Sequence, residues 1–190
     1  MAPRRTARSG APQRDLSTLY DEHVWGVYGF FGYHRLPRSD IEDLTQATFE
    51  RAIRAWPRYD PLRAGVRTWL IAIAQNLLID HHRRERSRRH SSIDAGLDES
   101  LLGVSAGPDE RFELSPRLAA ALSNLSERER QVIALRFGAD LSGPEIAELL
   151  SLSLANVQQI SSRALRKLRG QLEQDRAQAD AGDGGEMLSV

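Results

Sequence analysis

Apolar residues recur at helical spacing along most of this 190-residue chain, and no segment shows the period-two alternation that is typical of a β-strand. The clearest case lies between residues 66 and 78, where the apolar positions follow an i, i+3, i+4, i+7 pattern over about three helical turns. Segments 16–31 and 41–56 carry similar apolar stripes. The pattern predicts an all-α protein built from several amphipathic helices.

Helix start signals support the same prediction. In a capping box, a serine oxygen accepts a backbone N–H three residues later, and a glutamate at that later position reaches back to the N–H of the serine. Three pairs with this spacing each precede an apolar-periodic segment: Ser39 with Glu42, Ser126 with Glu129, and Ser142 with Glu145. Each serine is therefore predicted to begin a helix.

The helical periodicity breaks off in the middle of the chain, where a Gly/Ser/Asp-rich stretch is typical of a flexible linker. We therefore predict two small helical domains, one over 15–86 and one over 116–172, joined by a flexible acidic linker over 87–115. A basic tail over 1–14 and a second tail over 173–190 are predicted to be disordered.

The second predicted domain has the pattern of a helix-turn-helix, the motif whose second helix enters the major groove of DNA. A short helix that starts at Ser142 is followed by a turn over 151–153, and Ser153 caps a longer helix. The apolar residues that form the inner stripe of that longer helix are Val157, Ile160, Ala164 and Leu168.

The outward face of the longer helix is polar near its start and basic further along. Side-chain amides suit the edges of adenine, and basic side chains suit phosphate. The amides are Asn156, Gln158 and Gln159, and the basic residues are Arg163, Arg166, Lys167 and Arg169. We interpret this helix as one that binds DNA, and the alternative is an ordinary solvated helix of a bundle.

Charge is distributed in blocks, although 26 basic and 26 acidic side chains leave the chain with no formal net charge. Residues 83–89 hold five arginines against one acid, whereas residues 91–115 hold six acids against one arginine. Basic blocks on either side of an acidic one predict two surfaces that bind a polyanion, separated by a solvated linker.

Composition excludes several classes of protein. The chain has no cysteine, so it has no disulfide, thiol nucleophile or cysteine zinc site. No run of about 18 apolar residues is present, and the basic N-terminus lacks the apolar segment of a secretory signal. We expect a cytoplasmic protein that does not bind membranes.

The run of Asp80, His81 and His82 suggests an alternative, a helical metal-dependent phosphohydrolase. Consecutive helical residues point about 100° apart, so the three side chains cannot converge on one metal. The i, i+4 spacing of a helical zinc pair is met only by His81 with Glu85. We therefore expect no metal, no cofactor and no enzymatic activity, and we interpret the following arginines as contacts to a nucleic-acid backbone.

Both halves resemble one known family. The segments "DIEDLTQATFERAIRAWPRYD" and "RAGVRTWLIAIAQNLLIDHHRRERSRRH" resemble region 2 of bacterial sigma factors of the extracytoplasmic function (ECF) type. The segments "LSERERQVIALRF" and "LSGPEIAELLSLSLANVQQISSRALRKLR" are similar to region 4 of that family. The resemblance implies a sigma factor that binds core RNA polymerase and directs promoter recognition and DNA melting. Its implied partners are core polymerase, promoter DNA and an anti-sigma factor.

The resemblance also implies roles for single residues of the first half. Four residues match the segment that docks on the clamp coiled coil of the largest polymerase subunit: Asp43, Leu44, Gln46 and Phe49. Two groups match positions that bind the minus-ten element. They are Tyr59 and Arg63, in the loop that captures a flipped base, and Asn76, Asp80, Arg83 and Arg84, on the helix behind it.

In the second half, the resemblance implies contacts to the minus-thirty-five element. The matching residues are Asn156, Gln158, Gln159, Arg163, Arg166 and Lys167. The chain departs from the family at Ala47, where an acid is usual, and at Gln158 and Ile160, where basic residues are common. Ser151 stands where many helix-turn-helix units have glycine. Ala47 predicts a weaker or differently distributed affinity for core polymerase. Gln158 and Ile160 predict a reduced grip on phosphate near that point and leave the preferred DNA sequence open, and Ser151 predicts a strained or slightly changed turn.

One alternative within transcription remains open at this point. The helix-turn-helix segment also resembles the output domain of LuxR-type regulators, which would make the chain a stand-alone transcription regulator. Such regulators usually carry a βα receiver or a ligand-binding domain in front, and the all-helical first half argues against that.

Overall fold

The computed structural model describes residues 16–91 and 114–183, and it describes their side chains over 18–88 and 114–177. The predicted tail over 1–14, most of the predicted linker and the last residues, 184–190, lie outside the described residues. Within the two described ranges every regular element is a helix, which confirms the all-α prediction.

Three long helices form the first half. Helix α1 spans Leu16–Gly32, α2 spans Arg38–Ala55 and leads into a 3-10 turn, Trp56–Arg58, and α3 spans Val66–Ser91. The three apolar stripes lie on these helices, as predicted. Helix α3 continues past residue 86, where the first domain was predicted to end.

Four further helices form the second half. Helix α4 spans Pro116–Ser123, and α5 spans Glu127–Ile133 and continues into a π-helical turn, Ala134–Gly138. Helix α6 spans Gly143–Leu149 and α7 spans Leu154–Asp183. Helix α7 continues past residue 172, where the tail was predicted to begin.

Two of the three predicted capping boxes are present. Ser126 with Glu129 begins α5, and Ser142 with Glu145 begins α6, each with both reciprocal hydrogen bonds. The prediction for Ser39 is wrong, because α2 begins one residue earlier and Pro37 occupies the N-cap position without a side-chain cap. Glu42 instead accepts a hydrogen bond from Arg38 Nε at 2.7 Å.

The two halves meet in one hydrophobic core, which the division into two domains did not anticipate. Buried side chains of α1 and α3 belong to the same cluster as buried side chains of α5, its π-helical turn and α6. Its members include Phe30, Phe31, Leu70 and Ile71 from the first half, and Val132, Leu135, Leu141 and Ile146 from the second. Full burial of one such side chain contributes about 1.5–3 kcal/mol. A smaller cluster, including Leu122, Ile133 and Leu168, holds α4, α5 and α7 together.

Polar contacts accompany the shared core. Arg67 Nη1 donates to the Asp140 backbone carbonyl at 3.0 Å and to Asp140 Oδ2 at 2.8 Å. The Thr68 hydroxyl donates to Glu145 Oε1 at 3.0 Å. Thr68 lies in the first turn of α3, and Glu145 lies in the first turn of α6. These bonds therefore hold the starts of two helices from different halves against each other.

None of the described helices combines the length and the apolar character that a membrane span needs.

A buried imidazole lies where the halves join. His34 follows α1 and packs edge-on against Phe30, with ring centroids 4.9 Å apart. Its Nε2 has no hydrogen-bond partner within the described residues. The pKa of His34 is lowered to about 3, first by burial and then by the nearby His82 and Arg130. The imidazole is therefore neutral in this fold.

We expect the stability of the fold to fall between pH 7 and pH 5. An exposed histidine has a pKa of about 6.5, so below that pH the unfolded chain binds a proton that folded His34 excludes. The loss is about 1–2 kcal/mol at pH 5. His34→Phe should flatten this slope in denaturant titrations. Tyr33→Phe alters the same junction without removing a group that titrates in this window, and it should leave the slope intact. An equal slope in wild type and His34→Phe would contradict the assignment.

Candidate nucleic-acid interface

Helices α6 and α7 form a helix-turn-helix. Ser151, in the turn, has a φ of 52°, a left-handed conformation that glycine adopts more readily than serine. The Leu152 N–H donates to the Ala147 carbonyl at 2.8 Å, and the Asn156 N–H donates to the Ser153 hydroxyl at 3.2 Å. The structure thus confirms Ser153 as the cap of α7, and it places Ser151 in the left-handed conformation.

Helix α7 separates an inner from an outer face as predicted. The four residues of the predicted inner stripe, Val157, Ile160, Ala164 and Leu168, are all buried. The candidate DNA-binding residues Asn156, Gln158, Gln159, Arg163 and Arg166 are all exposed. Because Ile160 belongs to the core, a phosphate contact from that position is excluded, and the outer face carries its charge further along the helix.

Lys167, which is predicted to contact phosphate, is paired with an acid of α5 in this structure. Its Nζ lies 2.8 Å from Glu129 Oε2, on α5. The same carboxylate caps α5 through Ser126, and the hydrogen bond from Lys167 is the largest cause of the lowered pKa of Glu129. Lys167 therefore fixes α7 against α5, and the basic edge of α7 consists of Arg163, Arg166 and Arg169.

The loop between the 3-10 turn and α3 carries a half-buried aromatic group. The Tyr59 ring stacks on Trp56 at a centroid distance of 5.1 Å and packs at 4.9 Å against Trp69. Its hydroxyl donates to the Ala64 carbonyl at 2.9 Å, across the loop. Arg63, at the loop tip, is exposed. The structure thus brings Tyr59 and Arg63 together on one loop that is braced by aromatic stacking.

The end of α3 carries exposed basic side chains and one acid, Asp80, which pairs with arginines. Arg83 and Arg84 are exposed, and so is Asn76, about two turns earlier on the same helix. Asp80 accepts a hydrogen bond from Arg83 at 3.2 Å and lies 3.9 Å from Arg51 on α2. Asp80 therefore orients neighbouring arginines, and as an acid it is the member of the predicted minus-ten group least suited to a phosphate.

The three consecutive residues that suggested a metal site face different partners. Asp80 faces Arg83, and His81 Nε2 lies 3.6 Å from Asp40 on α2. Burial lowers the pKa of His82, and His81 lowers it further. In the described part of the chain, no group of three or more His, Asp or Glu side chains could hold a metal ion.

The predicted polymerase-docking residues of α2 divide between two faces. Leu44 and Phe49 are buried in the shared core, and Phe49 packs against Tyr20 at 4.8 Å. Asp43 and Gln46 are exposed, and Gln46 donates to Glu50 at 3.0 Å. Leu44 and Phe49 thus support the helix from inside, and only the exposed pair can contact a partner in this structure.

Sequence reasoning missed two neighbours of that exposed pair. Glu50 and Ile53 follow Gln46 on the same side of α2, at the i, i+4 and i+7 spacing that aligns residues along a helix. The side chain of Ile53 is 46% exposed. Ile53 falls on the apolar stripe predicted over 41–56, so its exposure is seen only in the fold.

It also missed three arginines beside the candidate loop. Arg51, Arg54 and Arg58, at the end of α2 and in the 3-10 turn, line a shallow cavity of about 340 Å³ whose other walls include Ile73 and Asn76. Arg54 pairs with Glu50 at 3.3 Å, whereas Arg58 is exposed. Arg51 and Arg54 lie one helical turn apart on α2, and Arg58 ends the 3-10 turn, next to the loop that carries Tyr59. We name this set the arginine groove.

Comparison with known proteins finds two family matches, one in each half. The family model described as Sigma-70 region 2 matches residues 19–88, and the one described as Sigma-70, region 4 matches residues 121–170.

Individual relatives match across both halves. The chain is 33% identical over 149 residues to the RNA polymerase sigma factor CnrH of Cupriavidus metallidurans, a match that covers 74% of this chain and 77% of CnrH. It is 29% identical over 171 residues to the ECF RNA polymerase sigma factor SigX of Bacillus subtilis, covering 85% of each. It is 29% identical to the ECF RNA polymerase sigma factor BldN of Streptomyces coelicolor, where the match covers 88% of this chain and 64% of BldN.

Solved structures with a similar fold include CnrH in complex with the cytosolic domain of CnrY. That chain is 28% identical, with a TM-score of 0.59 over 87% of this chain and 92% of CnrH. The sigma factor RpoE in complex with the anti-sigma factor NepR from Bartonella quintana aligns with a TM-score of 0.65 over 84% of this chain and 97% of RpoE. At 22% identity, the second likeness concerns the fold alone.

We expect the arginine groove to bind the backbone of single-stranded DNA. Replacing Arg51, Arg54 and Arg58 together by glutamine should weaken binding of a fluorescent dT oligonucleotide in anisotropy titrations. Each phosphate contact on a single strand contributes about 0.7 to the slope of log K against log salt, so the slope should fall by about 2.

A double variant, Arg117→Gln with Arg128→Gln, removes two exposed arginines of α4 and α5 and serves as the control. It should bind like wild type. A triple variant with an unchanged salt slope would show that the groove does not contact the strand.

Proposed function

The chain belongs to the ECF sigma factors of bacterial RNA polymerase. From that premise we propose which of its described surfaces contact the core polymerase and which contact the promoter. A sigma factor carries out no covalent chemistry; it binds the core polymerase, confers promoter specificity on it and helps to open the duplex. The observation that carries the proposal is that each half presents an exposed polar or basic surface at the positions where the family contacts polymerase or promoter.

The exposed face of α2 is the proposed contact to core polymerase. Asp43 and Gln46 supply its polar part, and Glu50 and Ile53 extend it along the helix. Leu44 and Phe49 act indirectly, because their burial holds α2 against α1 and keeps the exposed residues in line. Ala47 lies on this helix where the family usually has an acid, so the contact relies more heavily on its neighbours.

The loop with Tyr59 and Arg63 is the proposed minus-ten site, together with Asn76, Arg83 and Arg84. Single-stranded bases are held by stacking on aromatic rings and by basic grooves. Extruding a base from the duplex costs a few kcal/mol, which pocket contacts must offset. The stacking of Tyr59 on Trp56 and its hydrogen bond to Ala64 support this role, because a braced loop loses little freedom on binding.

Helix α7 is the proposed reader of the minus-thirty-five element. Asn156, Gln158 and Gln159 project from its first turns, which is the part of a recognition helix that reaches base edges. Arg163 and Arg166 follow on the exposed side, where they can contact phosphates. Two modest DNA contacts on one chain reinforce each other, because binding of the first raises the effective concentration of the second.

An anti-sigma factor is the proposed regulator, and the cytoplasm, where the polymerase acts, is the proposed location. CnrH, at 28% identity, was solved in complex with the cytosolic domain of CnrY, which supports assigning this chain a protein partner. Both halves match sigma regions, so the LuxR-type alternative has no support from the comparisons.

Binding to core polymerase tests the proposal. The full chain should co-migrate with bacterial core RNA polymerase on gel filtration, and the double variant Asp43→Arg/Gln46→Ala should reduce the affinity about ten-fold or more, because it reverses a charge at the centre of the contact. Asp21→Arg, an equal charge reversal on the exposed side of α1, is the matched control and should bind like wild type.

Two results would count against the proposal. Wild-type binding by the double variant would remove α2 from the contact. Failure of the wild-type chain to bind core, while it still binds duplex DNA, would favour a stand-alone regulator.

A further inference from the structure

Lys167 is the only lysine among the 26 lysine and arginine residues of the chain, and it pairs with Glu129 of α5. We propose that Lys167 is a positioning residue for recognition of the minus-thirty-five element: it fixes the orientation of α7 through Glu129, and it does not itself contact a DNA phosphate. The inference rests on the proposed function of α7. It assigns Lys167 a role that differs from that of the neighbouring Arg163 and Arg166.

Glu129 is the only charged residue that the fold buries in the described part of the chain, with an exposed fraction of 8%. Its Oε2 accepts three hydrogen bonds: from the Ser126 N–H at 2.9 Å, from the Ser126 hydroxyl at 2.9 Å and from Lys167 Nζ at 2.8 Å. A buried carboxylate is costly unless a cation is paired with it. Lys167 supplies that cation, so the position of α7 is coupled to the capped start of α5.

The arrangement of donors suits a lysine, in a chain whose other basic residues are arginines. An ammonium is a compact charge on a flexible stem, whereas a guanidinium presents its donors as a planar fork that matches both oxygens of a carboxylate. Here the cation reaches a single oxygen that already accepts two bonds from Ser126. That geometry favours the compact group.

The pair lies at a point of α7 from which a small rotation has a large effect on the candidate base contacts. The neighbouring Ala164 and Leu168 are buried in the smaller cluster, and apolar packing of this kind is non-directional. Asn156 lies eleven residues before Lys167, or about 16 Å along the helix axis. A tilt of about 10° about Lys167 would displace Asn156 by about 3 Å, more than the range of lengths that a hydrogen bond allows. The directional ion pair therefore holds the side-chain amides of α7 in place.

A direct phosphate contact by Lys167 conflicts with this arrangement. The ammonium would have to leave Glu129, and the buried carboxylate would lose its cation. Arg163 and Arg166 are exposed and follow the candidate base contacts along α7. Phosphate can therefore be bound there while Lys167 stays paired.

Binding of duplex DNA by the full chain with core polymerase tests the assignment. Wild type first selects duplexes from a pool with a random upstream region, and the retained duplexes are the probe for every variant, at a temperature where circular dichroism shows each variant to be folded. Lys167→Met removes the cation and keeps an apolar stem of similar length. We expect it to lower the affinity about ten-fold or more, as removal of one partner of a buried pair does. The slope of log K against log salt should stay at its wild-type value, because no phosphate contact is lost.

Replacing Glu129 by glutamine is the rescue. Glutamine retains the capping box with Ser126 but carries no charge, so Glu129→Gln/Lys167→Met should recover most of the affinity that Lys167→Met loses. Arg163→Gln removes a proposed phosphate contact and should reduce the magnitude of the salt slope by about 0.9. Arg128→Gln removes an exposed cation next to Glu129 on α5, and it should match wild type in affinity and slope.

Three results would overturn the assignment: wild-type affinity in Lys167→Met, a salt slope reduced as in Arg163→Gln, or no recovery in the double variant. If Lys167→Met does not fold, Lys167→Gln takes its place, since its amide can still donate to Glu129, and the same outcomes apply. A wild-type chain that, with core polymerase, retains no more duplex than core polymerase alone would instead overturn the proposed function, and the recognition role of Lys167 with it.

Discussion

Where Gly138 meets the backbone of Gly29, two helices from opposite halves of the chain approach with no side chain between them, and the rest of the packing follows from that approach. It brings the π-helical turn after α5 onto α1, so that Phe30 and Leu135 enter one core. It also aligns the starts of α3 and α6 for the Thr68–Glu145 bond. The side of α7 that is proposed to face DNA and the loop that carries Tyr59 remain on the outside of this packing, so both candidate surfaces are accessible.

Two glutamates illustrate how this small protein combines local and long-range order. Glu129 caps α5 through Ser126 and also binds Lys167 of α7. Glu145 caps α6 through Ser142 and also binds Thr68 of α3. Each carboxylate satisfies backbone donors that a helix start leaves free, and it uses its remaining acceptor capacity to hold a second helix. Stability of the helix start and orientation of the helix are therefore coupled at both places.

Local features of the chain could be predicted from the sequence, and contacts between distant residues could not. The stripes of α1, α2 and α3, the caps at Ser126, Ser142 and Ser153, and the inner face of α7 all depend on residues within a few positions of one another. The prediction that Ser39 caps α2 was wrong because Pro37, two residues earlier, occupies the N-cap position without a side-chain cap. Lys167 is basic in a basic helix, and only the fold shows that Glu129 lies beside it.

The candidate site likewise combines residues that local spacing could place with residues that only the fold brings together. The spacing of Asp43, Gln46, Asn156 and Gln158 was enough to place them on exposed faces, and the apolar stripe predicted over 41–56 includes Leu44 and Phe49, which are buried. The arginine groove needed the fold, because its walls come from α2, the 3-10 turn and α3. The shared core between the halves has no local signal, since the glycines that permit it are far apart in the chain.

Transcription from a randomised template library tests the central claim, that this chain directs core polymerase to promoters with two separate elements. Linear templates with a random upstream region would be transcribed by bacterial core polymerase with and without the full chain, and the transcribed templates would be sequenced. The account predicts transcripts that require the chain, from templates that share two short elements at a fixed spacing. Transcription no greater than that of core alone, or templates that share only one element, would contradict it.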